Sequence, residues 1–174
     1  TSSSYIHLSR SYDALVKNYT PATTNDLNNM NAENFSFASL EKPEVFLANE
    51  KLSHQEMNIL HRLFYNALHR GIGTCFKIQN NIKNKSAFAF IIHDTGKMYI
   101  VYTGRRNDKE AELVLFDTLI KNNAGKMAFL QSTPVSHKIL TKFGAVPSQL
   151  LHFERPQFSL SQKIKKIISK SIFS

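Results

Sequence analysis

Six consecutive residues, Ala87-Phe88-Ala89-Phe90-Ile91-Ile92, are apolar with no polar alternation. A strand of that kind has no face to offer water, so both of its faces must be covered. The run sits between turn signals. Asn80 to Lys85 is polar, and Asp94-Thr95-Gly96 is a hairpin turn. Flanking it, Thr74 to Gln79 and Lys97 to Thr103 read as two more strands, giving a meander of three. A sheet centred on this run needs helices on either side.

The sequence supplies them. Ser53 and Glu56 form a capping box, followed by Met57, Leu60, Phe64, Ala67 and Leu68 on one helical face, with Gly71 at the end. After the meander, Asn107 and Glu110 read as a second capping box. The helix they open carries Ala111, Val114, Leu115 and Leu119, and also Leu113, Phe116 and Ile120. A helix apolar over most of its surface belongs in the core. Gly125 ends it. Met127 to Leu130 reads as a short strand, and Thr133-Pro134 opens a helix that stops at Gly144. Ala145 to Val146 and Leu150 to Arg155 read as two last short strands, with Pro156 at the boundary.

Upstream, Tyr12, Leu15, Val16 and Tyr19 recur at helical spacing until Pro21. A second short helix starting at Thr23 or Thr24 would hold Leu27 and Met30, so the first 33 residues read as helices. Phe35 to Ala38 alternates as a strand, and Pro43 opens a turn of helix. This order predicts one domain over residues 1–156. Beyond it, Leu160, Ile164, Ile167, Ile168 and Ile172 recur at helical spacing among lysines, which reads as a basic amphipathic helix over 157–174. Such a helix packs on the domain or on a partner subunit in a homo-oligomer, or lies on an anionic membrane or RNA.

Composition narrows the classes. The 174 residues are 42% apolar and 20% charged, ordinary for a globular chain. No run of about 18 apolar residues is long enough to span a bilayer. The chain opens at Thr1, and its first twenty residues lack a basic-then-apolar leader pattern. Cys75 has no partner for a disulfide, which with the missing leader predicts a reducing, cytoplasmic setting. Lysine and arginine exceed acids by 22 to 13, a formal charge of +9, which points to an anionic partner. Four of those lysines, Lys163, Lys165, Lys166 and Lys170, lie in the last twelve residues. His54, His61 and His69 share a helix at spacings that suit no metal site, and no P-loop, nucleotide fingerprint or HExxH motif occurs.

Four segments together resemble a known superfamily: the strand Ala87–Phe90, the hairpin into Met98–Thr103, the helix Leu113 to Ile120, and the ending Lys142-Phe143-Gly144-Ala145. With the element order they resemble the GNAT acyl-CoA N-acyltransferases, and more narrowly the GNAT-like domains of Fem-type aminoacyltransferases. The resemblance implies an α/β (α+β) fold: a mixed, mostly antiparallel central sheet flanked by helices, here with the C-terminal amphipathic helix added. It implies transfer of an acetyl or aminoacyl group from a CoA or tRNA carrier to a small-molecule or peptide amine. Fem-type enzymes pair two such domains, whereas one is read here.

The family binds acetyl-CoA or another acyl-CoA between its fourth and fifth strands, with the pyrophosphate on amides at the start of the central helix. Free amides and the helix dipole favour an anion there. The matching loop is Arg106 to Ala111, in place of Gln/Arg-x-x-Gly-x-Gly/Ala. Arg106 and Ala111 fit, Lys109 stands where glycine is expected, and Glu110 sits beside it. Tyr102 and Thr103 end the strand that would pair with the pantetheine arm. The family's tyrosine acid on the following helix is matched by Leu140, which has no proton to give. Its acidic base on the fifth strand is replaced by Phe129, Leu130 and Gln131. His137 and Gln131 remain as catalytic candidates, with His93, Tyr99 and Tyr102 also expected near the cleft. No metal is implied. A domain that kept the fold and lost the site stays open as the alternative.

Overall fold

In the computed structural model, the described residues are 2–40, 42, 44–47, 50–105, 107–133 and 137–149. The strand predicted at Leu150 to Arg155, the helix start at Pro134 and the basic tail lie outside them. The elements in chain order are β1 Ser2–His7, α1 Tyr12–Val16, α2 Pro21–Asn29, β2 Phe35–Leu40, α3 Glu44–Leu47, α4 His54–His69 and β3 Gly73–Asn80. They continue with β4 Lys85–Asp94, β5 Lys97–Thr103, α5 Lys109–Asn123, β6 Phe129–Ser132, α6 His137–Thr141 and β7 Val146–Gln149.

One seven-stranded sheet runs β2-β3-β4-β5-β6-β1-β7. Every neighbouring pair is antiparallel except β5 and β6, which are parallel and joined through α5. The fold is therefore the mixed, mostly antiparallel sheet with flanking helices that the sequence implied. The apolar run on β4 divides it as expected. Ala87, Ala89 and Ile91 face a core built with Leu113, Leu115, Phe116, Leu119 and Ile120 of α5. Phe90, with Phe88 and Ile92 beside it, faces a second core built with Phe64 and Ala67 of α4. The rings of Phe64 and Phe90 stack at 4.0 Å between centroids.

The N-terminus departs from the expectation. Ser2–His7 is not helical: it is a strand inserted between β6 and β7. Three serines carry no hydrophobic period, so pattern reading had nothing to detect. The strand is held instead by small side chains that bond across it. Ser4 and Ser132 are both buried, and the Ser4 amide donates to Ser132 Oγ at 2.9 Å. Their hydroxyls lie 3.0 Å apart, and Ser132 Oγ also donates to the Ser4 carbonyl at 3.2 Å. A buried serine pair of this kind is tolerable because each hydroxyl finds a partner.

Three boundaries also shift. Thr20, not Thr23 or Thr24, caps α2 by accepting from the Thr23 amide, and Pro21 occupies the first turn, where a missing N–H costs nothing. The short strand is Phe129–Ser132 rather than Met127 to Leu130. Its polar end, Gln131 and Ser132, pairs with Tyr99 and Ile100 on one side, and Gln131 with Tyr5 on the other. The cap of α5 is Asp108, not Asn107. The α4 capping box forms as expected, with both reciprocal bonds present.

The N-terminal helices are pinned to the central helix by one carboxylate. Tyr12 and Tyr19 donate to Asp117 of α5 at 2.7 and 2.9 Å. Burial, reinforced by Asp117, pushes both phenols above their ordinary range, so both remain donors. Gly144 closes the turn after α6 with φ at +74°, and a side chain there would collide with the Asn18 backbone.

Candidate functional site

The parallel pairing of β5 with β6 is short. It runs from Lys97 opposite Phe129 to Ile100 opposite Ser132, and the Thr133 amide adds one more bond to the Ile100 carbonyl. β5 continues to Thr103 beyond this pairing, which leaves a fork whose arm, Val101 to Thr103, has no β6 partner among the described residues. On its other side β5 slips register against β4: Ile91 pairs with Ile100, but Phe90 pairs with Tyr102, which leaves Val101 without a β4 partner. A bulge of this kind re-aims the side chains beyond it. Met98 and Ile100 belong to the α5 core, and simple alternation would send Tyr102 there too. Tyr102 instead joins Val101 on the α4 side, near Phe64 and Phe88 at ring separations of 6.0 and 6.2 Å.

Turned this way, the Tyr102 hydroxyl donates to Glu50 Oε2 at 3.0 Å. The Arg105 amide donates to the same oxygen at 3.2 Å. Glu50 lies in the stretch between α3 and α4 and is 8% exposed. Burial, then the Glu50 charge and its hydrogen bond, raise the Tyr102 phenol above its ordinary range, so it donates across the working pH range. The Arg105 guanidinium turns to Glu56 at 2.7 Å and reaches the Lys51 carbonyl at 3.5 Å. Glu56 is doubly committed, since its other oxygen closes the α4 capping box with the Ser53 amide. The Ser53 amide first, then Arg105, hold its carboxyl down at about 2. The free arm of the fork is thus clipped to the start of α4.

The start of α5 is also occupied. Asp108 Oδ1 accepts from the Glu110 and Ala111 amides, each at 3.2 Å. Its other oxygen pairs with Lys85 at 3.1 Å. Burial works against the Asp108 charge, but the Ala111 amide, Lys85 and the Glu110 amide outweigh it and hold the carboxyl below its usual range. Glu110 pairs with Lys83 at 2.6 Å. Asn107, expected as the cap, instead bridges to β4: it accepts from the Phe88 amide at 3.0 Å and donates to the Phe88 carbonyl at 3.1 Å and to Glu112 at 3.2 Å. Gly104 makes room for this, since a Cβ there would meet Asn107 and the Phe88 ring. Burial raises the Glu112 carboxyl.

Of the residues expected to hold a cofactor, Tyr102 and Thr103 stand on the fork's free arm. Lys109, Glu110 and Ala111 form the first turn of α5, with the Glu110 and Ala111 amides bonded to Asp108. Arg106 lies outside the described residues. Of the catalytic candidates, His137 opens α6 and its side chain lies outside the description. Gln131 is on β6, in register with Tyr99 and Tyr5, and donates to Ser3 Oγ at 3.4 Å. It lines a shallow concavity of about 270 Å³ with Tyr5, His7, Lys97, Phe129 and Ser148. His93 is not near the cleft. It pairs with Met98 beside the β4–β5 hairpin, at the opposite end of β5 from Thr103, and burial lowers its pKa. Leu140, expected where the resembled family has its acid, is fully buried in the core. Cys75 is fully buried as well, and burial pushes its thiol up to about 12.

Sequence reading missed Glu50 as a site residue, and it read Asp108 as suited to the helix start but gave the cap to Asn107. Asp108 was legible: an aspartate two and three residues before two amides at a helix start is a standard cap. Glu50 gave no local signal, because its partners, Tyr102 and Arg105, are 52 and 55 residues away. Among the described residues no group of three His, Cys, Asp or Glu side chains is arranged to hold a metal ion, and no helix is long and apolar enough to cross a membrane.

No protein-family model and no curated protein sequence matches the chain. A solved structure does: the crystal structure of FemX superposes with a TM-score of 0.64 at 10% identity, over 84% of this chain and 59% of the FemX chain. The chain thus spans less than two thirds of the FemX length. At that identity the likeness concerns the fold alone.

Proposed function

We propose that this chain is an acyl-transfer domain that moves an aminoacyl group from an ester on tRNA to an amine, on a small molecule or a peptide. The observation that carries the reading is the fork between β5 and β6, beside the β4–β5 bulge at Val101. The free arm offers backbone groups that an extended acyl donor can pair with, and the chemistry of aminolysis needs little more than held reactants. The amine nitrogen attacks the ester carbonyl carbon, the C–O bond to the ribose breaks, and the released oxygen takes up the proton lost by nitrogen.

The ester carrier is favoured over acyl-CoA by the start of α5. A pyrophosphate there would have to displace the Asp108 carboxylate from the Glu110 and Ala111 amides and meet the Glu110 charge. The excess of 22 basic over 13 acidic residues suits an RNA carrier. Aminoacyl-tRNA as donor places the reaction in the cytoplasm. The test is transfer of a radiolabelled amino acid from charged tRNA to a pool of amine acceptors, with free amino acid and CoA thioester as controls.

A second reading, a domain that kept the fold without the chemistry, is favoured by Leu140 standing buried where the family has its acid. Tight binding of charged tRNA or acceptor with no transfer would select it.

A further inference from the structure

The geometry points to Glu50 as the group that receives the acceptor's amine, an inference that rests on the acyl-transfer reading. A carboxylate that is 8% exposed is expected to sit against a cation. Glu50 forms no ion pair with any described residue. The nearest guanidinium, on Arg105, is spent on Glu56 and the Lys51 carbonyl. Both donors that reach Glu50, the Tyr102 hydroxyl and the Arg105 amide, bond Oε2, and Oε1 has no hydrogen-bond partner among the described residues. A buried carboxylate fixed by one oxygen, with the other unbonded among the described residues and coupled only to an Arg105 charge that is itself paired with Glu56, can take a further charged donor.

Its place suits that role. The β4–β5 bulge turns Tyr102, which stands on the arm of the fork, toward Glu50, so the carboxyl is anchored to that arm. The ligand class is a primary ammonium, whose three N–H groups leave donors to spare after one is given to Oε1. The ammonium has no lone pair, so it first gives one proton to Glu50 Oε1, which passes it to solvent, and the neutral amine then attacks the acyl carbon. The bonded nitrogen becomes strongly acidic, Glu50 accepts its proton, and that proton goes to the ribose oxygen released when the C–O bond breaks. Tyr102 is a positioning residue: it holds Oε2 and never loses its own proton.

The experiment is a titration of the intact chain, 13C-labelled at tyrosine, with n-propylamine and separately with propan-1-ol, following the ring resonance that Tyr102→Phe removes. Saturable shifts with the amine and none with the alcohol are expected, weakened at least 10-fold in Glu50→Gln. A response to both compounds, or to neither at high concentration, overturns the site. In Glu50→Gln the thermal midpoint should hold or rise, since a functional carboxylate is kept at a cost to stability. Equal amine binding in that variant also overturns it. Should Glu50→Gln fail to fold, the amine-against-alcohol comparison on the unaltered chain still decides. Amine binding without transfer from any charged tRNA would remove the acyl-transfer reading and leave an amine site standing.

Discussion

The Tyr102 hydroxyl lies 3.0 Å from Glu50 Oε2, joining the end of β5 to the stretch that leads into α4 across 52 residues of chain. That bond exists because one unpaired residue, Val101, turns Tyr102 to the α4 side of the sheet. Tyr102→Phe keeps the ring and its packing but takes away a donor to a charged group. Bonds of that kind contribute roughly 1.5–3 kcal/mol. Urea unfolding should show a loss of about that size with an unchanged slope; an unchanged midpoint would mean the clip carries no stability.

Asp108 carries the α5 cap. Asp108→Ala should cost about 1 kcal/mol, the usual penalty for removing an N-cap side chain. Because Asp108 holds the amides a pyrophosphate would need, millimolar CoA should leave the thermal midpoint of the unaltered chain in place. A CoA-specific rise would show that the ligand displaces the cap, since a compound that binds only the folded state must raise the midpoint.

Glu56 sets a pH dependence. Its carboxyl is held at about 2 by the Ser53 amide and Arg105, below the ordinary carboxylate value of about 4.3. A depressed folded-state pKa gives stability that is present above the unfolded value and lost as pH falls through the folded one. The loss should therefore run from roughly pH 4 down to pH 2, and Glu56→Gln should flatten that limb. Unfolding curves at pH 7, 4, 3 and 2 for both proteins check it, and parallel limbs would contradict it.

Ser132 anchors β1. Ser132→Ala strands the buried Ser4 amide, at a cost of about 1–3 kcal/mol for an unsatisfied buried donor. Hydrogen exchange should quicken at Ser4 before it does at Ile91 in the centre of the sheet. Equal protection at Ser4 in the variant would mean another group holds the strand.

The contrast between β4 and β1 marks what the chain makes legible. Ala87 to Ile92 announces a strand covered twice, because hydrophobic runs are local and the demand for cover is unconditional. Ser2 to His7 hides a strand, because its cohesion comes from hydroxyl bonds to Ser132, 128 residues distant. The same divide runs through the site. The fork's arm at Tyr102 and Thr103 was placed by strand pattern and resemblance. The direction of Tyr102 depends on a one-residue slip between two strands, which no local pattern records. Asn107 opens an Asn-x-x-Glu box and so reads as the cap, but Asp108 beside it is the residue that accepts from the first-turn amides.

The most direct measurement of the central claim is transfer from charged tRNA. The chain is incubated with tRNA carrying a radiolabelled amino acid and with an equimolar mixture of primary amines, and acid-stable, amine-linked label is counted. The account expects label on the amines above the rate of spontaneous ester aminolysis, reduced about 100-fold or more in Glu50→Gln if that carboxylate acts as base. Label transferred from acyl-CoA but not from tRNA would contradict the choice of carrier, and transfer from neither would contradict the acyl-transfer reading itself.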